Sequence, residues 1–269
     1  MSPVKIYISA DIEGVTGIAA WDEATLSHAD NAEFRERMTA EVVAACEGAV
    51  AAGATDILVK DAHATGRNLL AERLPREARL VRGWSGHPYC MVQELDATFD
   101  AVLFIGWHSA GGTGSNPLAH TLSSSRLNGI KVNGVLASEF LLHAYAAALD
   151  GVPVVFVSGD EGLCEEVRLY DERIGTVAVG RGMGASCVGR HPAITRDELR
   201  AGVEAALGRD LGALRPTLPK SFRVEVLHKD AHDAYRKSFY PGAELLDAST
   251  IVFETDDWFE ALRAIRFIT

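Results

Sequence analysis

The chain has 269 residues, 48% apolar and 23% charged, with a net charge of -11. That composition fits an ordinary globular protein and sets aside disordered and fibrous classes. The acidic balance, with no clustered Lys/Arg stripe, argues against nucleic-acid binding, and no run approaches the roughly 18 apolar residues of a membrane span.

The opening segment, MSPVKIYISA, lacks the basic start and long apolar core of a signal peptide, so the default location is the cytoplasm. Four short stretches rich in β-branched residues read as buried strands: KIYISAD (5–11), DILVKDA (56–62), AVLFIGW (101–107) and VPVVFVSGD (152–160). Between the first two, Phe34, Met38, Val42, Cys46 and Val50 recur near helical spacing and Gly53 supplies a stop, which makes a βαβ unit. Another helix is expected over Ala137 to Gly151, capped by Ser138 and ended by Gly151. After about residue 190 come a helix over TRDELRAGVEAALGRD, a strand FRVEVLH (222–228), a short helix near 230–237, a strand TIVFET (250–255) and a terminal helix. The expected class is α/β: an open, twisted, mostly parallel sheet flanked by helices, with a smaller C-terminal α/β extension. Residues 1–190 would form the main domain and 191–269 the smaller portion, with a soft boundary. Cys46, Cys90, Cys164 and Cys187 form no CxxC pair and read as reduced core thiols.

Ligands of open parallel sheets sit at the carboxyl ends of the strands, and here those ends share a chemical theme. The first strand finishes in Asp11 and Glu13, the second in Asp61 and His63, and the third leads into His108. Residues i and i+2 of an extended chain point to the same side, so Asp11 and Glu13 crowd their charges. Two imidazoles with two or three carboxylates are the ligand set of zinc or a similar divalent metal, and the cation would offset the repulsion. Glu139, the only acid between residues 129 and 149, is a fourth contributor, although an acid at a helix start also has the macrodipole to explain it. Each strand-end acid or histidine alone is an ordinary turn or capping device; their agreement at three ends carries the metal reading. His28, His87, His143, His191, His228 and His232 lack such placement and read as surface or core residues, His143 as packing within its helix.

The segment HSAGGTGSNPLAHT, His108 to Thr121, follows a strand with Gly111, Gly112 and Gly114 but has no G-x-G-x-x-G spacing, and neither does GRGMGAS at 180–186. Dinucleotide binding is therefore a poor match. The other reading is a flexible active-site loop that carries His120 back to the strand ends for acid–base chemistry. Spacing alone does not separate His120 from His87.

These motifs resemble the binuclear zinc D-aminopeptidases of the dipeptide-transport operon type. The family's Ser-x-Asp-x-Glu-Gly appears as Ser9 to Gly14, followed in order by DAH with His63, GWH with His108, LAHT with His120 and VNGVLASE ending in Glu139. The resemblance runs on through VPVVFVSGD and PGAELLDASTIVFET, nearly the whole chain. It implies that Asp11, Glu13, His63, His108 and Glu139 bind two zinc ions per subunit and that His120 is the catalytic, non-ligand histidine. It also implies a homodecamer of two stacked pentameric rings.

The expected reaction is hydrolysis of the N-terminal bond of a short peptide or amino-acid amide, with D-residues such as D-alanine favoured by the resemblance, by water activated between two zinc ions and assisted by His120. Two other readings stand beside it. A two-metal phosphoesterase uses similar ligands, but no Lys/Arg cluster lies near them in sequence to meet a phosphate, Arg67 standing alone. A non-catalytic, metal-stabilised peptide-binding ring protein would fill every coordination position with protein groups, whereas five ligands for two zinc ions leave room for water.

Overall fold

A computed structural model describes residues 4–214 and 216–269. In chain order the elements are β1 (Val4–Ala10), α1 (Trp21–Ala24), α2 (Asn31–Ala51), β2 (Ala54–Asp61), β3 (Ala78–Val81), β4 (Ala101–Trp107), β5 (Leu127–Val132), β6 (Val135–Leu136), α3 (Glu139–Leu149), β7 (Val154–Asp160), α4 (Glu161–Tyr170), β8 (Gly175–Met183), β9 (Ser186–Gly189), α5 (Pro192–Leu207), β10 (Phe222–His228), α6 (Ala231–Lys237), β11 (Ala243–Leu245), β12 (Thr250–Thr255) and α7 (Trp258–Ile268). The four expected buried strands are β1, β2, β4 and β7. Helix α3 starts just after Ser138, whose hydroxyl accepts a hydrogen bond from the Leu141 amide at 3.3 Å, the cap its residue type favours.

Seven strands form one sheet in the order β3-β2-β1-β4-β7-β8-β9, parallel except for the last pair. The chain winds outward from β1 to β3, then returns to β4 on the other side of β1. Strand order therefore reverses between β1 and β4, the crevice where open α/β sheets bind ligands. Both faces of this sheet are covered, which is why its central strands read as continuous apolar runs. Ile6, Ile8, Leu103 and Ile105 pack with Met38 and Val42 of α2 and Val203 of α5. On the other face Tyr7, Val102 and Phe104 meet Phe140 of α3, Trp258 of α7 and Val224 of β10.

The remaining strands form an antiparallel sheet, β11-β12-β10-β5-β6. The two sheets do not part at residue 190. Strands β5 and β6, inserted between β4 and α3, join the second sheet, while α5 packs with α2 over the first. A second difference lies in α2, where Phe34, Met38, Val42 and Cys46 are buried but Val50 is exposed. A strict four-residue spacing overshoots the helical repeat by about 40° per step, so Val50 has rotated off the core face and Ala45 and Ala49 continue the buried stripe. All four cysteines are free, Cys46 and Cys164 buried and Cys90 and Cys187 partly so. No described helix is long and apolar enough to cross a membrane.

The turn after β1 is clamped from α2. The buried Glu41 carboxylate accepts a hydrogen bond from the Thr16 amide at 2.9 Å, and Arg37 Nη1 donates to the Thr16 carbonyl at 2.7 Å. Burial pushes the Glu41 carboxyl up to about 7, against the hydrogen bonds from Thr16. An acid raised in the folded state contributes stability in full below the ordinary glutamate range and loses it as pH rises toward 7. Glu41→Gln, a mimic of the protonated acid, is therefore expected to match the wild type near pH 4 and to exceed it at pH 8 by up to about 3 kcal/mol. Thermal melts of both proteins at the two pH values check this, and equal differences at both would contradict it.

Candidate metal centre

The ends of β1, β2 and β4 bring the sequence-predicted residues together at the point where strand order reverses. Beyond β1 the chain stays bonded to β4, the Asp11 amide donating to the Ile105 carbonyl and the Gly14 amide to the Gly106 carbonyl, both at 2.9 Å. A Cβ on Gly14 would overlap the Trp107 carbonyl, and one on Gly106, which sits at φ +72°, would overlap the Asp11 carbonyl. Only glycine permits this approach, and it sets Asp11 and Glu13 against His108.

Two clusters result: Asp11, Glu13 and His63 in one, His108, His120 and Glu139 in the other. Asp11 joins them, with Oδ1 3.3 Å from His63 Nδ1 and Oδ2 3.6 Å from His108 Nε2. Glu13 Oε2 lies 2.9 Å from His63 Nδ1, Glu139 Oε2 lies 3.3 Å from His108 Nε2, and Glu139 Oε1 lies 3.6 Å from His120 Nε2. The ring of His120 stacks on that of His108 at 4.4 Å, and Trp21 meets His120 edge-on. The glycine loop thus does carry His120 back to the strand ends, and the first residue of α3, Glu139, is drawn into the cluster.

All three histidines are held in the same way. His63 Nε2 bonds the Ala24 carbonyl at 2.8 Å, His108 Nδ1 the Ser109 carbonyl and His120 Nδ1 the Leu118 carbonyl, each at 2.9 Å. A carbonyl only accepts, so each of these nitrogens carries the proton, and the other nitrogen presents a lone pair to the carboxylates. His108 Nε2 and Glu13 Oε2 are buried without any hydrogen-bond partner. Acceptors facing acceptors in a buried site need a proton or a cation between them, so these residues fit a divalent metal by their donor chemistry and by the atoms left over. Without the metal, protons do that work. Against the opposing effect of burial, Glu139 lifts His108 to about 10, and His108 in turn holds Glu139 down to about 2. Burial likewise opposes the Glu13–His63 pair, yet His63 is raised well above neutrality and Glu13 held well below the usual carboxylate range. Asp11 goes the other way, raised by burial and by Glu13. Metal entry must therefore displace protons from this site.

Asp61 does not join the clusters. Its carboxylate accepts from the Leu69 amide at 2.7 Å and from Asn68 Nδ2 at 2.9 Å, closing the loop that carries His63. His143 does more than pack, since its Nδ1 donates to the Glu139 carbonyl at 2.7 Å and its Nε2 accepts from the Met91 amide at 3.3 Å. One supporting group escaped the sequence reading: Asp160 at the end of β7. It takes the Ser109 amide at 2.7 Å and Asn116 Nδ2 at 3.2 Å, and Asn116 also donates to the Glu13 carbonyl at 2.8 Å. Asp160 thereby ties the His108 turn to the glycine loop and to β1. Its position at a strand end was the available signal.

A parallel sheet with paired histidine–carboxylate clusters at its switch point defines a metal-dependent hydrolase of the α/β class. Residues 4–267 match the model of a peptidase family described as D-aminopeptidase, and the chain belongs to that family. It is 29% identical over 273 residues to a D-aminopeptidase of Bacillus subtilis (strain 168), covering 99% of this chain and 97% of the relative. The solved structure of the zinc-dependent D-aminopeptidase DppA from Bacillus subtilis, described as a self-compartmentalizing protease, matches it with a TM-score of 0.91 at 27% identity. That match covers 98% of this chain and 96% of the other.

Proposed function

We propose that this chain is a zinc aminopeptidase that removes N-terminal D-residues from short peptides or amino-acid amides, using two metal ions held by Asp11, Glu13, His63, His108 and Glu139. The observation that carries the reading is the pair of buried clusters joined through Asp11. The identity of the metal and the preference for D-residues follow the relatives' descriptions. Zinc bound there would supply a Lewis acid for the scissile carbonyl and lower the pKa of water.

The chain's own groups do the rest. The carbonyl-anchored histidines keep their free nitrogens aimed inward, so little reorganises on binding. Asp11 serves both clusters, which fixes their spacing. His120, the least enclosed member, takes a proton at Nε2 from the attacking water and, as the imidazolium, hands it to the leaving amine or steadies the oxyanion. A cavity of about 1110 Å³ opens over Asp11, Glu13, His63, His120 and Glu139, with Trp21 and Trp84 among its walls, and accommodates a peptide of a few residues.

Metal stripping tests the reading. Chelation is expected to abolish hydrolysis of D-alanyl substrates and zinc to restore it, with the L-alanyl counterparts turned over more slowly in paired assays. Turnover that survives removal of the metal would sink the mechanism. We also propose a homo-oligomer, a decamer of two stacked pentameric rings. Large exposed apolar side chains such as Leu169, Phe239 and Phe267 support an assembly that covers them. Sedimentation velocity checks it, and a monomer at micromolar concentration would refute it.

A further inference from the structure

The cavity over the clusters carries a second charge pattern. Its three carboxylate side chains, Asp11, Glu13 and Glu139, all belong to the candidate metal site. Three guanidinium groups line it as well, Arg67, Arg126 and Arg266. Arg67 follows His63 on the loop after β2, Arg126 immediately precedes β5, and Arg266 lies in the last turn of α7. Only the fold brings these three segments to one cavity, so a lone Arg67 in sequence understated the local cation count. All three side chains are exposed. None forms an ion pair among the described residues, whereas other arginines do, Arg79 with Asp56, Arg200 with Glu47 and Arg223 with Glu225.

An unpaired guanidinium is a planar set of donors matched to a carboxylate or phosphate. In a chain of net charge -11, three of them around one cavity balance the three carboxylate side chains of the metal site, and no further acidic side chain lines it. With divalent metals neutralising the clusters, the cavity becomes net positive and favours an anionic ligand. The hydroxyls of Ser123, Ser124 and Ser125 line the same cavity beside Arg126 and add neutral donors. We propose that Arg67, Arg126 and Arg266 form a wall that binds the C-terminal carboxylate of a short peptide, so that the enzyme reads both ends of its substrate. The inference rests on the aminopeptidase reading and narrows it: free-acid peptides are favoured over C-terminal amides and over long chains whose carboxylate lies out of reach.

Steady-state kinetics of the zinc-loaded enzyme on D-alanyl-D-alanine and on its C-terminal amide test this, in the wild type, in Arg67→Gln, Arg126→Gln and Arg266→Gln, and in the triple variant. A peptide with one further residue, as acid and amide, extends the comparison to greater reach. The wild type is expected to prefer the acid by about 10- to 100-fold in kcat/KM, the range of one hydrogen bond to a charged group. The triple variant is expected to bring the acid-to-amide ratio toward one through KM, with bound zinc and melting temperature held. A wild type that treats acid and amide alike at both lengths overturns the carboxylate wall and leaves the aminopeptidase reading intact. So does a triple variant that loses both activities in equal proportion. Arginine-dependent hydrolysis of a phosphomonoester, with neither peptide substrate cleaved, overturns both.

Discussion

His120→Ala is expected to lower kcat by about 10²- to 10⁴-fold, the usual scale for a general acid or base, while the two metal ions proposed for each chain stay bound. The geometry gives His120 a place in the second cluster but a different standing from its neighbours. Its side chain retains 13% exposure where that of His108 has none. It rides on a glycine-bearing loop rather than on a strand end, and its Nε2 looks toward Glu139 Oε1 at 3.6 Å, on the cavity side of the cluster. A residue that must meet a leaving amine needs that access, and a ligand does not. The alternative assignment has a distinct signature: if His120 is a ligand, metal analysis of the variant falls toward one ion per chain together with the rate. His120→Asn, which keeps a polar group on the loop, separates proton transfer from loop collapse. It should stay as slow as the alanine variant and melt at the wild-type temperature.

Much of this site was legible before any coordinates, for a physical reason. In a doubly covered parallel sheet the central strands are largely apolar runs, so the ionisable residues that close or directly follow each run mark the strand's carboxyl end, and those ends converge. Asp11, Glu13, His63 and His108 are all found by that rule. Asp61 obeys it too and yet turns into its own loop, because strand-end placement does not say which face a side chain serves. Glu139 and His120 were candidates on the residues alone, the first open to a helix-dipole explanation and the second not separable from His87 by spacing, and the resemblance singled them out. Their approach depends on how the hairpin β5–β6 folds back, and that hairpin went unread although Asn133-Gly134 is a strong two-residue turn signal, with φ of +52° and +82° in the structure. Strands β3, β8 and β9 were missed for the opposite reason. They lie toward the edges of the sheet, mix exposed with half-buried positions, and so lack the continuous apolar pattern of the centre. That Arg67, Arg126 and Arg266 line one cavity was not legible, because none of them sits at the carboxyl end of a strand, which would mark its place.

Asp11→Asn is expected to move metal affinity and metal-free stability in opposite directions. In the metal-free chain Asp11 is the odd carboxylate: burial and the neighbouring Glu13 push its pKa well above the ordinary value, while Glu13 and Glu139 are held low by their histidines. A raised acid weakens the fold at any pH above the ordinary aspartate range, because folding must either desolvate its charge or take up a proton. The asparagine carries no charge and keeps the shape, including an oxygen for the Ile12 amide that bonds Asp11 Oδ1 at 2.9 Å. The variant treated with chelator should therefore melt above the chelated wild type at neutral pH, and that advantage should vanish in acid, where the unfolded aspartate is protonated as well. With zinc the order reverses. A ligand present at about 1,000 times its dissociation constant stabilises the native state by about 4 kcal/mol, and the wild type should gain on that scale while the variant gains little. The one side chain facing both clusters has lost its charge, and since changes to groups behind metal ligands already cost 10- to 100-fold in affinity or activity, turnover should fall by more than about 100-fold. Four melting curves, each protein with chelator and with zinc, decide the matter. An asparagine variant that melts lower than the wild type under both conditions would mean that Asp11 is held for the fold rather than for the metals.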